Sequence, residues 1–216
     1  MYLSRLIFNP RSRQARQLAA DPYQLHRAVM KGFPELLPAG ERVLHRLETG
    51  RDTPVLLVQS ALAPDWSTLD PAVLLPPDPF DPRPNPAVKP VELPLQAGQR
   101  LAFRLWANPT LKKVRRDENG ERRNSNRAPL LREDEQVEWL RKRAGMGGFT
   151  VLGVTVGQTQ EQKLWKKKGT PPITLVTVQF DGILRVDRPD ALREAVLAGL
   201  GPAKAFGCGL LSLAPA

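Results

Sequence analysis

The sequence predicts an α+β protein made of two βαββαβ units in tandem, on three observations. Apolar residues alternate with period two in several short runs, as half-buried strands require. Stripes at helical spacing fall between those runs. A block of prolines separates the halves, with nine of the twenty-two lying between Pro71 and Pro94. At 216 residues the chain is long enough for two small domains, each with its own core.

Taken in order, residues 2–8 read as a first strand, closed at Asn9-Pro10 because proline lacks the N–H that a ladder needs. A short polar stretch follows. Asp21-Pro22 then starts a helix running to about Gly32: Asp21 can accept from orphan N–H groups, and Pro22 is pre-set for the first helical position. Leu25, Val29 and Phe33 form its buried stripe. Val43–Leu47 and Pro54–Gln59 read as paired strands around a turn at Gly50 and Asp52. The proline block forbids helix interiors and central strands and favours an extended path, so it reads as the linker.

Beyond it, Arg100–Trp106 alternates, with Leu101, Phe103 and Leu105 on one face. Residues 130–144 form an amphipathic helix with Leu130, Val137, Leu140 and Ala144 as its apolar positions. Phe149–Val156 and Ile173–Val186 are strands, Pro189–Leu197 a helix and Leu210–Leu213 a last strand. This is the ferredoxin-like order. The expected domains are 1–75, reaching about residue 95 if the Pro-rich segment supplies the last elements, then a linker over 76–98, then 99–216.

The net charge of +10 gives the surface a positive field, which makes nucleic acid the expected partner. Residues 110–170 hold fifteen Lys/Arg against eight Asp/Glu, so this stretch should meet the partner first. With Cys208 the only cysteine, no intrachain disulfide can form, and no Cys/His cluster has zinc-ligand spacing. That pattern suits a reducing cytoplasm. Met1–Pro10 is too short and too interrupted for a signal peptide or a span, so no membrane is expected. No cofactor and no metal are expected either.

Three constellations could carry chemistry. In the first, on the helix after Asp21, Tyr23 and His26 lie roughly 60° apart and can face one cleft. Lys31 lies about 140° from His26, so only its long stem could bring the ammonium to the same place. An imidazole titrating near neutrality with donors beside it suits metal-free RNA cleavage, in which the RNA supplies its own 2′-hydroxyl nucleophile. Equally, His26 reads as an ordinary half-exposed helix residue. His45, on an alternating strand, reads as structural.

The second is the run from Leu111 to Arg127. Asp117–Gly120 signals a turn, and Lys112, Lys113, Arg115, Arg116, Arg122, Arg123 and Arg127 surround it. This reads as a basic finger for RNA phosphates, or else as a solvated charge run; Lys163 with Lys166, Lys167 and Lys168 could extend the track. The third is the glycine-rich Gly199–Ser212 around Lys204, whose backbone could approach a phosphate closely, or which is simply a turn. It lacks the Gly-Lys-[Ser/Thr] of a nucleotide phosphate loop.

Together the segments Met1-Tyr-Leu-Ser-Arg-Leu, Asn9-Pro10, Asp21-Pro-Tyr-Gln-Leu-His-Arg27, Pro64-Asp-Trp-Ser67, Phe103-Arg-Leu-Trp-Ala-Asn-Pro109 and Gly201–Pro215 resemble the CasE subfamily. That subfamily contains the CRISPR repeat-RNA endoribonucleases of the type I-E Cascade complex, within the RAMP superfamily. The resemblance implies two ferredoxin-like domains and metal-free cleavage of the repeat hairpin in precursor CRISPR RNA, leaving a 2′,3′-cyclic phosphate and a 5′-hydroxyl. It implies His26 as general acid/base, Tyr23 orienting the ribose-phosphate and Lys31 stabilising the transition state. Arg27, the basic loop, Lys166, Lys167 and Lys204 would hold RNA, and other Cascade subunits would be partners. A non-catalytic hairpin-binding subunit of the same superfamily is the alternative, and would leave His26 unused.

Overall fold

The computed structural model describes residues 1–49, 53–77, 83–112, 115–116, 122–123, 127–164 and 173–216. The first half forms one antiparallel sheet from β1 (Tyr2–Ile7), β2 (Leu44–Glu48), β3 (Val55–Ser60) and β4 (Ala87–Pro90), in the order β2-β3-β1-β4. Two helices, α1 (Arg13–Ala20) and α2 (Pro22–Met30), join β1 to β2. The Asp21 carboxylate accepts from the N–H groups of Tyr23 at 2.9 Å and Gln24 at 3.1 Å, so the expected cap is the one that starts α2. Leu25 and Val29 are buried against Leu6, Phe8, Leu56 and Val58 in a core of their own.

Two features differ from expectation. α1 occupies the stretch read as polar connection; Ser12 caps it and only Ala15 is buried, so it has almost no apolar stripe to read. β4 lies in the Pro-rich stretch read as linker, within the reach to about residue 95 allowed for the first unit's last elements. Its Val88 and Lys89 sit opposite Ser4 and Leu3 on β1, and its Pro90 is tolerated because the strand is at the sheet edge. Single helical turns at Trp66–Thr68 and Pro71–Val73 stand where a second helix was expected.

The second half runs β5 (Arg100–Ala107), α3 (Glu133–Met146), β10 (Phe149–Val156), β12 (Ile173–Val186), α4 (Pro189–Ala198) and β13 (Leu211–Pro215). Its sheet order, β10-β12-β5-β13, repeats that of the first half. Between β5 and α3 stand β6 (Thr110–Lys112), β7 (Arg115–Arg116), β8 (Arg122–Arg123) and β9 (Arg127–Pro129), while β11 (Gln160–Leu164) pairs with β12. The helix starts three residues later than expected: Leu130 is buried ahead of it, and Gln136 and Trp139 join Leu140 and Ala144 on its inner face in place of the half-buried Val137. Gln136 is tolerated there because its amide donates to the Leu130 carbonyl and the Thr159 hydroxyl, both at 3.0 Å. A second core gathers around Phe103, Leu105, Leu140, Phe149 and Phe180, and Leu93 and Leu95 from the connecting segment pack onto it.

The halves are joined by directed polar contacts. The buried Arg46 guanidinium on β2 donates to the Leu210 carbonyl at 3.3 Å, the Arg104 carbonyl at 3.4 Å and the Ser212 hydroxyl at 3.0 Å, while also pairing with Glu48 at 2.8 Å. The Gln59 amide on β3 donates to the Val196 carbonyl at 2.8 Å. Among the described residues no helix is long and apolar enough to cross a membrane.

Candidate active site and nucleic-acid interface

α2 lies on one face of the first sheet, beside the edge strand β2, and the glycine-rich segment of the second half closes against both. That segment contains a single turn at Lys204–Phe206 that packs on α2 and on β2. Its path depends on glycine: Gly199 has φ +73°, and a Cβ there would come within 2.9 Å of the Leu44 side chain. The seam between the halves is thus built from α2, β2 and the glycine loop.

His26 sits in this seam, half-buried. Its ring stacks on that of His45 with centroids 5.8 Å apart and planes 20° from parallel. His26 Nδ1 is buried with no partner, whereas Nε2 stays accessible. Burial lowers the His26 pKa below the ordinary 6.5, because the charged form loses water that nothing replaces. His45 is fully buried, and its pKa falls to about 3, through burial first and repulsion from a charged His26 second. Tyr23, one turn before His26 on α2, is half-buried; Arg27 and Lys31 are exposed, with Lys31 capping the helix end about 7.5 Å along the axis from His26.

Facing this helix, Lys204 donates from Nζ to the Gly201 carbonyl at 2.9 Å. Its pKa is lowered, mainly by burial and then by the nearby guanidiniums of Arg42, Arg143 and Arg127. Among the described residues none of these four cations forms an ion pair. A cavity of about 510 Å³ opens between α3, α4 and the loop, lined by Arg127, Arg143, Glu194, Gly199, Gly201 and Lys204. Three of these cations, Arg127, Arg143 and Lys204, line the concavity against one carboxylate, Glu194, and an anion such as a phosphodiester would relieve their repulsion. Arg143 is steadied over the Trp139 ring, 5.6 Å from its centroid.

The expected basic finger is an antiparallel ribbon: β6 pairs with β9, and Arg115 and Arg116 on β7 stand opposite Arg123 and Arg122 on β8. Lys112 and Arg127 are exposed near its base. Lys113, the expected turn at Asp117–Gly120, and Lys166, Lys167 and Lys168 lie outside the described residues. The fold therefore brings Tyr23, His26, Lys204 and Arg127 to adjoining surfaces around the seam. The sequence reading missed Arg42 and Arg143, which have no local signature, and the partnership of His45 with His26.

The two ferredoxin-like domains agree with the fold that the sequence resemblance implies. The model of the family described as "CRISPR associated protein" matches residues 1–215, and the chain belongs to that family, in its CasE/Cse3 subfamily. The chain is 40% identical to the CRISPR-associated endoribonuclease Cse3 of Thermus thermophilus and 35% identical to the CRISPR system Cascade subunit CasE of Escherichia coli K12, in both cases over all of each chain. It superposes on the CRISPR endoribonuclease Cse3 bound to a 19-nucleotide RNA with a TM-score of 0.82 at 36% identity, covering all of both chains.

Proposed function

We propose that the protein is a CRISPR repeat-RNA endoribonuclease that grips the repeat hairpin of precursor RNA, cuts it, and stays bound to the mature guide within Cascade. The reading is supported by the full-length similarity to Cse3 and CasE and by the RNA-bound Cse3 of the same fold. One observation carries the mechanism: His26 stands at the seam with one nitrogen sheltered and the other accessible, beside a cationic loop that needs an anion.

In this mechanism the ribose 2′-hydroxyl attacks its own 3′-phosphate. The P–O bond to the next nucleotide's 5′-oxygen breaks, leaving a 2′,3′-cyclic phosphate and a 5′-hydroxyl. The neutral His26 Nε2 takes the 2′-proton, and the imidazolium so formed returns a proton to the departing 5′-oxygen. Tyr23 orients the ribose-phosphate, and Lys31 counters the charge that builds on the phosphorane oxygens. Arg27, the finger (Lys112, Lys113, Arg115, Arg116, Arg122, Arg123, Arg127), Lys166 and Lys167 hold the stem by its phosphates, and Lys204 holds the strand near the cut. No metal enters any step, and the protein works in the cytoplasm.

Incubation of the protein with a synthetic repeat hairpin in excess chelator tests this. A single cut is expected, with a cyclic phosphate on the upstream product. Loss of cutting on chelation, or a linear 3′-hydroxyl end, overturns the mechanism.

A further inference from the structure

His45 has no role in the mechanism above, yet its placement is unusual for a core residue. It is fully buried, and both ring nitrogens lack a hydrogen-bond partner. Buried polar atoms are ordinarily paired, and an apolar side chain of similar size would fill the same volume without that penalty. The ring runs near-parallel to that of His26, with 20° between planes and 5.8 Å between centroids, and the glycine loop approaches it, a Cβ at Gly207 falling 3.8 Å from His45 Cδ2.

We infer that His45 is a positioning residue for His26: the buried ring forms a flat, water-excluding floor that fixes the plane of the His26 imidazole and leaves only Nε2 to exchange protons with RNA. This rests on His26 being the proton carrier proposed above.

The sheltered Nδ1 of His26 decides which charge state the site favours. A protonated imidazole carries N–H on both nitrogens. On His26 the Nδ1–H would then point into a pocket with no acceptor, above a ring that is itself neutral down to about pH 3. The floor therefore favours the neutral form of His26, the form able to accept the 2′-proton. Most surrounding ionisable groups are cationic or uncharged, and the carboxylates on the packed elements are engaged elsewhere, with Asp21 accepting from the Tyr23 and Gln24 N–H groups at the start of α2. α2 itself carries Tyr23, Arg27 and Lys31; α1 carries the exposed Arg13 and Arg16. The glycine loop brings Lys204 and Cys208, whose thiol is pushed up to about 12 by burial. Arg42 precedes β2, and Arg46 and Glu48 form their contacts on the opposite face of that strand. No carboxylate among these faces the ring pair to stabilise an imidazolium.

The chain has only two histidines, so their titration can be followed directly by nitrogen-15 NMR of the RNA-free protein. In the parent, one imidazole is expected to titrate below 6.5 and the other to stay neutral to about pH 3. His45→Phe keeps a flat ring under His26, whose titration should remain depressed. His45→Ala admits water to Nδ1, and His26 should titrate upward, toward its ordinary value. Single-turnover cleavage by His45→Ala should fall on the order of tenfold to a hundredfold from loss of aim, with its acid limb moved to higher pH, and His45→Phe should recover most of the rate. Hairpin affinity should be unchanged in both. Should His45→Ala fail to fold, His45→Phe still decides: a His26 titration no longer depressed there overturns the proposal. So does a folded His45→Ala with the parental His26 titration. If instead His26→Ala cuts at the parental rate, the catalytic assignment fails, while the NMR result for the ring pair stands independently.

Discussion

Around His26 the protein excludes water from a ring nitrogen, while the ribbon β6 to β9 gathers basic residues along its strands. The first region is a seam closed by α2, β2 and the glycine loop, with stacked rings and unpaired buried nitrogens. The second is a two-stranded projection with arginine opposite arginine. Such a ribbon stabilises itself poorly, because like charges directly across a ladder repel. Under the proposed mechanism the difference separates two tasks. Proton transfer gains from a dry, fixed donor and acceptor, whereas binding a polyanion gains from exposed cations that release its counterions.

Substitutions in the two regions should therefore fail in different ways. The largest effect expected is from His26→Ala, which should cut the hairpin roughly 10² to 10⁴ times more slowly, read by single-turnover assay, while filter binding shows parental affinity. An affinity loss matching the rate loss would erase the distinction between the regions. Next in size is Arg46→Ala, which removes the cation that ties β2 to the second half. It leaves Glu48 without that partner and removes a donor from two carbonyls, and urea unfolding should show a loss of about 3 kcal/mol.

Acid should act on the seam and spare the ribbon. The His45 pKa is lower in the folded chain than in the unfolded one, so below 6.5 the unfolded chain binds the extra proton. Stability is thus full above 6.5 and lost as pH falls toward about 3, by at most about 1.4 kcal/mol per pH unit from this residue. His45→Phe should flatten that part of the profile in denaturation curves collected across this range. The smallest effect per residue belongs to the ribbon. Replacing Lys112, Arg115 or Arg116 singly by Gln should reduce the slope of log affinity against log salt by about 1, leaving the rate at saturating RNA unchanged. An unaltered slope would remove the ribbon from the RNA-binding surface.

What could be read from the sequence follows the range of the interactions. Asp21-Pro22 starts α2 through contacts two and three residues away, so it was legible, as was the alternation of Leu101, Phe103 and Leu105 on β5. The resemblance to CasE pointed to Tyr23 and His26 because they stand in one contiguous motif. β4 was hidden because prolines argue against strands in general but not against an edge strand. α1 was hidden because a helix that buries one alanine leaves no periodic signal. The floor beneath His26 comes from a residue nineteen positions away, and the cations around Lys204 come from segments some sixty to more than a hundred and fifty residues distant. Only the folded chain brings them together.

Consecutive residues of β2 serve opposite faces of its sheet: His45 lies under α2, while Arg46 reaches across to Leu210 and Ser212. Strand side chains alternate, so one inserted or deleted residue ahead of this five-residue strand would exchange the two. The guanidinium would arrive below His26 and the imidazole would enter the junction between the halves. Under the proposed mechanism, the pairing register of a single edge strand sets catalysis and assembly together, and neither can be altered there without disturbing the other.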